Sequence, residues 1–305
     1  MTFNFETTPK VNGKIALVTG GNSGLGYETV KALALRGAKV YLASRDLIKG
    51  DKAKSEILTA NPALDIEVLK LDLASIKSIE IAASEIKSKH NHLDFLINNA
   101  GIMAMPYRET EDGFESQFGV NHLGHWVLTS SLMPLLLASE KSRVVTVSST
   151  ARHMARQITD GDFNFKANYS PWGSYGHSKL ANYYFGIGLA RIFERAKVSH
   201  ASLIAHPGIS NTNLQVQTAA QGGAGASGKY SESLAAKLGM SAWRGAQSQI
   251  RAALDPKAKN GDFYGPRFAA FGDPVKLPIL KPGATKNIEK LWQISKEATG
   301  YSIDL

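Results

Sequence analysis

The chain has 305 residues, no cysteine and a formal net charge of +9. The missing thiols exclude disulfides, thiolate nucleophiles and sulfur-ligated metals, and they fit a reducing, cytoplasmic setting. The positive balance suits either an anionic ligand such as a phosphorylated cofactor or a plain solvated surface; no basic run carries the aromatic interleaving of a nucleic-acid groove, so no nucleic-acid partner is expected.

From the N-terminus, Met1 to Val11 contains Glu6 and no apolar stretch, so no secretory signal is expected. Nowhere do about 18 apolar residues run together; the best candidate, Leu132 to Ala138, is short and holds Pro134, so no membrane span is expected either. β-Branched runs then alternate with helical patterns, which marks βαβ units and a parallel sheet. Strands are predicted at Ile15–Thr19, Lys39–Ala43, Ile66–Leu71, Asp94–Asn98, Arg143–Ser148 and Ala201–His206, with a helix from about Leu25 to Arg36 closed by Gly37. Several of these strands are apolar throughout, as strands covered on both faces by helices must be. The expected fold is α/β, a doubly wound, mainly parallel sheet in three αβα layers.

No linker or repeat divides the chain, so residues 1–305 read as one domain. Two stretches break the rhythm. Gln221 to Gly228 is glycine-rich and reads as a flexible loop, and Pro256 to Pro282 is rich in proline and glycine and reads as extended and irregular. The segments near 215–235 and 256–282 either cover a substrate site or are ordinary surface loops.

The first strand runs into Thr19-Gly20-Gly21-Asn22-Ser23-Gly24-Leu25-Gly26 and a helix follows. A glycine triplet at a strand-to-helix turn in the first βαβ unit is the setting in which such a loop binds a dinucleotide. Gly20 allows the tight turn, Gly24 lets the backbone approach a pyrophosphate, and Gly26 lets helix and strand pack closely. The helix N-terminal amides then face the phosphates.

The G-x-x-x-G-x-G spacing, with Thr19 before it, resembles the short-chain dehydrogenase/reductase family, and with it a Rossmann-type sheet. The second strand ends Ser44-Arg45-Asp46, where an NAD-binding chain would place an acid to hold the adenosine ribose. Ser44 does not repel a 2′-phosphate and Arg45 offers it a bidentate contact, so NADP(H) is favoured with NAD(H) as the other choice. Asp46 could instead pair with Arg45 or sit near the ribose. The resemblance also implies that Asp72 and Leu73 contact adenine, that Asn99, Ala100 and Gly101 lie beside the cofactor, and that Pro207, Gly208, Ile209 and Thr212 meet the nicotinamide.

Tyr175-Gly176-His177-Ser178-Lys179 is the family's Y-x-x-x-K, and the i, i+4 spacing puts phenol and ammonium on one helix face. A nearby Lys⁺ and the positive nicotinamide should bring the Tyr pKa down toward the working range. The resemblance implies Tyr175 as acid/base, Lys179 on the nicotinamide ribose, Ser149 polarising a carbonyl with Ser148 as the rival, and Asn121 holding a relay water. Ser149 and Tyr175 stand much farther apart in sequence than in many better-known members. That insertion, Phe118 to His125, Gly261 to Pro266 and Leu291 to Gly300 are similar to the retinol-dehydrogenase and WW-domain-oxidoreductase-like branch. The implied function is interconversion of a small apolar carbonyl and its alcohol. C=C or quinone reduction on the same scaffold, or a silent cofactor-sensing regulator, are the alternatives. His122 and His125 lack a third ligand and read as packing or capping residues, so no metal is expected. The family also implies a possible homodimer through helix faces.

Overall fold

The computed structural model describes residues 3–158, 169–210, 239–279 and 283–305. The chain winds as β1 (Ile15–Thr19), α1 (Gly24–Leu35), β2 (Lys39–Ser44), α2 (Leu47–Ala60), β3 (Ile66–Lys70), α3 (Ile76–Lys89) and β4 (Phe95–Asn98). A short turn of helix (Ser116–Phe118) and a π-helical turn (Gly119–Leu123) lead into α4 (Gly124–Ala138), then β5 (Arg143–Val147) and a 3₁₀ turn (Thr150–Met154). α5 (Pro171–Arg195), β6 (Ala201–Ala205), α6 (Ala242–Leu254), β7 (Phe263–Pro266), β8 (Pro274–Leu277) and α7 (Ala284–Thr299) complete it.

The sheet order is β3-β2-β1-β4-β5-β6-β7-β8, parallel except for β8, which runs antiparallel to β7. The six predicted strands stand within a residue or so of their expected bounds. β1 and β6 are buried at every position because helices lie on both faces. One apolar cluster joins the sheet to α1, α2 and α6. The other joins it to α3, α4, α5 and α7, which gives the three layers. The chain leaves the β3 edge and returns beside β1 as β4, so the carboxyl ends of β1 and β4 flank the crevice where sheets of this kind take ligands.

Part of the segment expected to be irregular instead forms the β7–β8 hairpin. Its prolines do not disrupt it because Pro266 and Pro274 face one another at the last rung of the ladder, on the sheet's edge, where a missing amide costs little. The hairpin turn reaches the crevice: the Ile209 amide donates to the Ala270 carbonyl at 2.8 Å. The segment near 215–235 lies outside the described residues.

α5 is buried from Ser174 to Lys179 and for most of its further length, because α7 covers it. Trp292 of α7 stacks on Phe185 at 5.8 Å and meets Trp126 of α4 edge-on at 5.1 Å. Gly188 makes the approach possible, since a Cβ there would lie 2.3 Å from the Trp292 ring. A homodimer through helix faces would therefore need surfaces other than the one α7 covers. Among the described residues, no helix is long and apolar enough to cross a membrane.

Candidate active site

At the end of β1, Gly20 and Gly24 take left-handed φ values of 65° and 55°, which side-chain-bearing residues rarely adopt. A Cβ on Gly26 would lie 2.1 Å from the Gly20 carbonyl oxygen and 2.7 Å from Asn99 Nδ2, so α1 packs directly on the turn that precedes it. Ser23 is the N-cap of α1 but makes no side-chain capping bond, which leaves the first amides of the helix free of that competitor. Asn22, Ser23 and Leu25 line the same cleft as the glycines. An uncapped helix N-terminus, left-handed glycines and a backbone approach that no Cβ would permit together fit a dinucleotide pyrophosphate.

At one end of the cleft the Ser44 hydroxyl donates to the Asp46 carbonyl at 2.8 Å. Asp46 caps α2, accepting from the Lys49 amide at 3.1 Å and pairing with Lys49 Nζ at 3.6 Å. The Lys49 amide and ammonium hold the Asp46 carboxyl below its ordinary range. Asp46 is thus paired with Lys49, and exposed Arg45 lines the cleft with no ion pair among the described residues. Asp72 accepts from the Ala74 amide at 2.9 Å in a turn that sets Leu73 against the cleft.

Across the sheet, Asn99 Nδ2 donates to the Thr19 carbonyl at 2.8 Å, and Asn99 Oδ1 accepts from Gln249 at 3.0 Å. These bonds tie β1, β4 and α6 together under Ala100 and Gly101. Pro207, Gly208 and Ile209 line the far wall, and Gly208 (φ 69°) sits where a Cβ would meet the Ala270 carbonyl oxygen at 2.4 Å. Thr212 lies outside the described residues.

The cleft, about 790 Å³, runs from Arg45 to Tyr175. Ser149 follows β5 and opens the 3₁₀ turn; its Oγ accepts from the Ala151 amide at 3.1 Å, and the residue lines the same end of the cleft as Tyr175. Ser148 points the other way, buried, with its hydroxyl donating to the Lys179 carbonyl at 2.8 Å. Of the two serines, Ser149 is the one left partly exposed at the end of the cleft that Tyr175 lines. Gly176 lets the Ser149 turn lie against α5, since a Cβ there would sit 2.8 Å from the Ala151 carbonyl oxygen and hold the turn off the helix.

Lys179 Nζ lies 5.8 Å from the centre of the Tyr175 ring and donates to the Val147 carbonyl at 3.3 Å. Burial pushes Tyr175 up to about 12, with the nearby Ser149 hydroxyl opposing, and burial brings Lys179 down to about 8. In the chain by itself desolvation therefore outweighs the charge–charge effect expected from the Tyr–Lys spacing. Asn121 sits in the π-helical turn. Its Oδ1 accepts from the Ile102 amide at 2.8 Å, and its Nδ2 donates to the Ile102 carbonyl and the Ser178 hydroxyl, both at 2.9 Å. The end of the cleft beside Tyr175 is apolar, walled by Met103, Met105, Met154 and Trp172.

The sequence reading passed over Gln249, Gly176 and Arg152. Gly176 was legible as the residue after the tyrosine in Y-x-x-x-K. Nothing near Gln249 in sequence points to the site, which it reaches through folding; Arg152 stands three residues after Ser149, but its reach to the Tyr183 and Phe263 rings arises only on folding.

The family model for short chain dehydrogenases matches residues 14–221, and the chain belongs to the short-chain dehydrogenase/reductase family of oxidoreductases, in its retinol-dehydrogenase-like branch. It is 36% identical over 303 residues to human (Homo sapiens) retinol dehydrogenase 12, covering 97% of this chain and 89% of that protein. Human retinol dehydrogenase 11 is 45% identical over 208 residues, 68% of this chain and 64% of that one. The crystal structure of an uncharacterized protein from Mycobacterium Paratuberculosis superposes with a TM-score of 0.79 at 36% identity, over the full length of both chains.

Proposed function

We propose that this chain is an NADP(H)-dependent oxidoreductase that interconverts a small apolar carbonyl compound and its alcohol, working as a reductase of aldehydes or ketones. The observation that carries the reading is the gathering of Ser149, Tyr175 and Lys179 at one end of a cleft whose other end presents Arg45 without an ion pair among the described residues. Arg45 would take the 2′-phosphate as a charge-assisted fork, and the α1 amides the pyrophosphate. Lys179 would hold the nicotinamide ribose. When bound, the cofactor supplies the hydride.

Ser149 and Tyr175 both donate to the carbonyl oxygen, whose charge grows only as the transition state is reached, so fixed donors there lower the barrier. Tyr175, kept protonated by burial, delivers the proton. The Asn121 side chain is already spent on Ile102 and Ser178. A relay water would therefore use the Asn121 carbonyl, which takes one bond from His125 and has a second lone pair. Met103, Met105, Met154 and Trp172 favour an apolar substrate body.

The test is a fluorescence titration with NADPH and then NADH, followed by a panel of aldehydes and ketones with product analysis. Tighter NADPH binding and alcohol products support the reading. Preference for NADH removes the Arg45 assignment, and saturated C–C products would move the chemistry to a C=C bond. Absence of any turnover leaves a cofactor-binding regulator.

A further inference from the structure

Arg152 follows Ser149 by three residues and is buried, at 8% exposure. Its guanidinium Nη1 donates to the Ser149 carbonyl at 3.0 Å, and its own amide donates to the same oxygen at 3.2 Å. The guanidinium centre lies 5.0 Å from the Tyr183 ring and 4.9 Å from the Phe263 ring. It has no ion pair among the described residues, and its Nε is buried without a hydrogen-bond partner. Nearby His206 is held neutral by burial and by the Arg152 charge, so it supplies neither a counter-ion nor a second cation. Burying a guanidinium without a carboxylate is costly, and an apolar residue of similar size would serve stability better.

What the guanidinium holds explains its presence. Tyr183 stands four residues after Lys179 and eight after Tyr175, on the same face of α5. Phe263 opens β7, beside the strand that leads into Pro207 and Gly208. Arg152 thus spans the turn that carries Ser149, the helix that carries Tyr175 and Lys179, and the strand next to the far wall of the cleft. The Ala151 amide fixes Ser149 Oγ, and the Arg152 amide and fork fix its carbonyl.

We infer that Arg152 is a positioning residue that clamps the Ser149 turn onto α5 and so sets the placement of the Ser149 hydroxyl against Tyr175. The inference rests on the carbonyl-reductase reading for its kinetic consequence but not for its structural one. A misplacement of reacting groups by about 1 Å costs on the order of 100-fold in rate.

The experiment compares wild type with Arg152→Met, which keeps length without charge or fork, and Arg152→Lys, which keeps charge without the fork. For each, kcat and KM are measured with a carbonyl compound that wild type turns over, NADPH affinity by fluorescence, and hydrogen exchange over residues 149–154. Arg152→Met should lower kcat about 10- to 100-fold, with KM and NADPH affinity within about twofold, and should speed exchange in that segment alone. Arg152→Lys should recover part of the loss. Wild-type kcat and exchange in Arg152→Met would overturn the inference, as would a kcat loss that only follows lost NADPH binding. Should Arg152→Met fail to fold, Arg152→Lys decides: reduced kcat with fast local exchange supports the clamp, and wild-type values on both overturn it. If wild type turns over no carbonyl, the carbonyl-reductase reading fails, while the exchange measurement still decides the role of Arg152.

Discussion

The Thr19 hydroxyl and His125 Nε2 are hydrogen-bonded at 2.9 Å, and this bond connects the glycine turn to the π-helical turn that carries Asn121. His125 Nδ1 lies 2.9 Å from the Asn121 carbonyl, which can only accept, so the proton sits on Nδ1 and Nε2 accepts from Thr19. The same Thr19 oxygen accepts from the Asn99 and Ala100 amides, each at 2.9 Å. A neutral imidazole is thus buried behind Thr19, which lines the cleft.

That neutrality has a consequence in acid. Burial holds His125 and His177 down at about 4 and His122 and His206 at about 3, against the ordinary 6.5. Below pH 6.5 the unfolded chain takes up protons that the native chain refuses. Stability present above that pH is therefore lost as pH falls toward the folded values, by about 1.4 kcal/mol per unit for each histidine. The urea midpoint should fall steeply between about pH 6.5 and 5. A flat midpoint across that range would mean that these imidazoles titrate normally.

Tyr175→Phe removes the phenol and little else. Turnover should drop by at least about 100-fold, the usual worth of a positioned acid, with NADPH affinity within about twofold. Substantial remaining activity in stopped-flow or steady-state assays would take the proton donor away from Tyr175.

Arg45→Ser tests the cofactor choice. Losing a charge-assisted fork should weaken NADPH binding about tenfold, or about 1.4 kcal/mol, and leave NADH binding unchanged. Equal weakening of both cofactors, read by fluorescence titration, would show that Arg45 does not distinguish the phosphate.

Gly26→Ala places a methyl group against the Gly20 carbonyl and Asn99. Overpacking of this kind costs about 1–3 kcal/mol in stability. It should also push the glycine turn out of register with the pyrophosphate, lowering affinity for both cofactors together. Unchanged urea midpoint and cofactor affinity would contradict the close approach.

The layers, the six central strands, the glycine turn and the Tyr175–Lys179 pair were legible in sequence because local patterns carry them. Burial on both faces makes a strand uniformly apolar, a left-handed turn calls for glycine, and i, i+4 spacing fixes a helix face. Folding alone settled how the two serines divide: Ser148 and Ser149 are adjacent and chemically alike, and only their placement against α5 buries one hydroxyl on the Lys179 carbonyl and leaves the other partly exposed at the end of the cleft that Tyr175 lines. The pairing of Asp46 with Lys49 rather than Arg45 depended on where α2 begins. The direction in which Tyr175 and Lys179 shift depended on how much of the molecule surrounds them. Gln249 joins the site from an element whose own sequence carries no trace of it, and Arg152, three residues after Ser149, acquires its aromatic partners from α5 and β7 only on folding. Spacing along a chain reports the faces of single elements; desolvation and contacts between elements arise only when those faces are brought together.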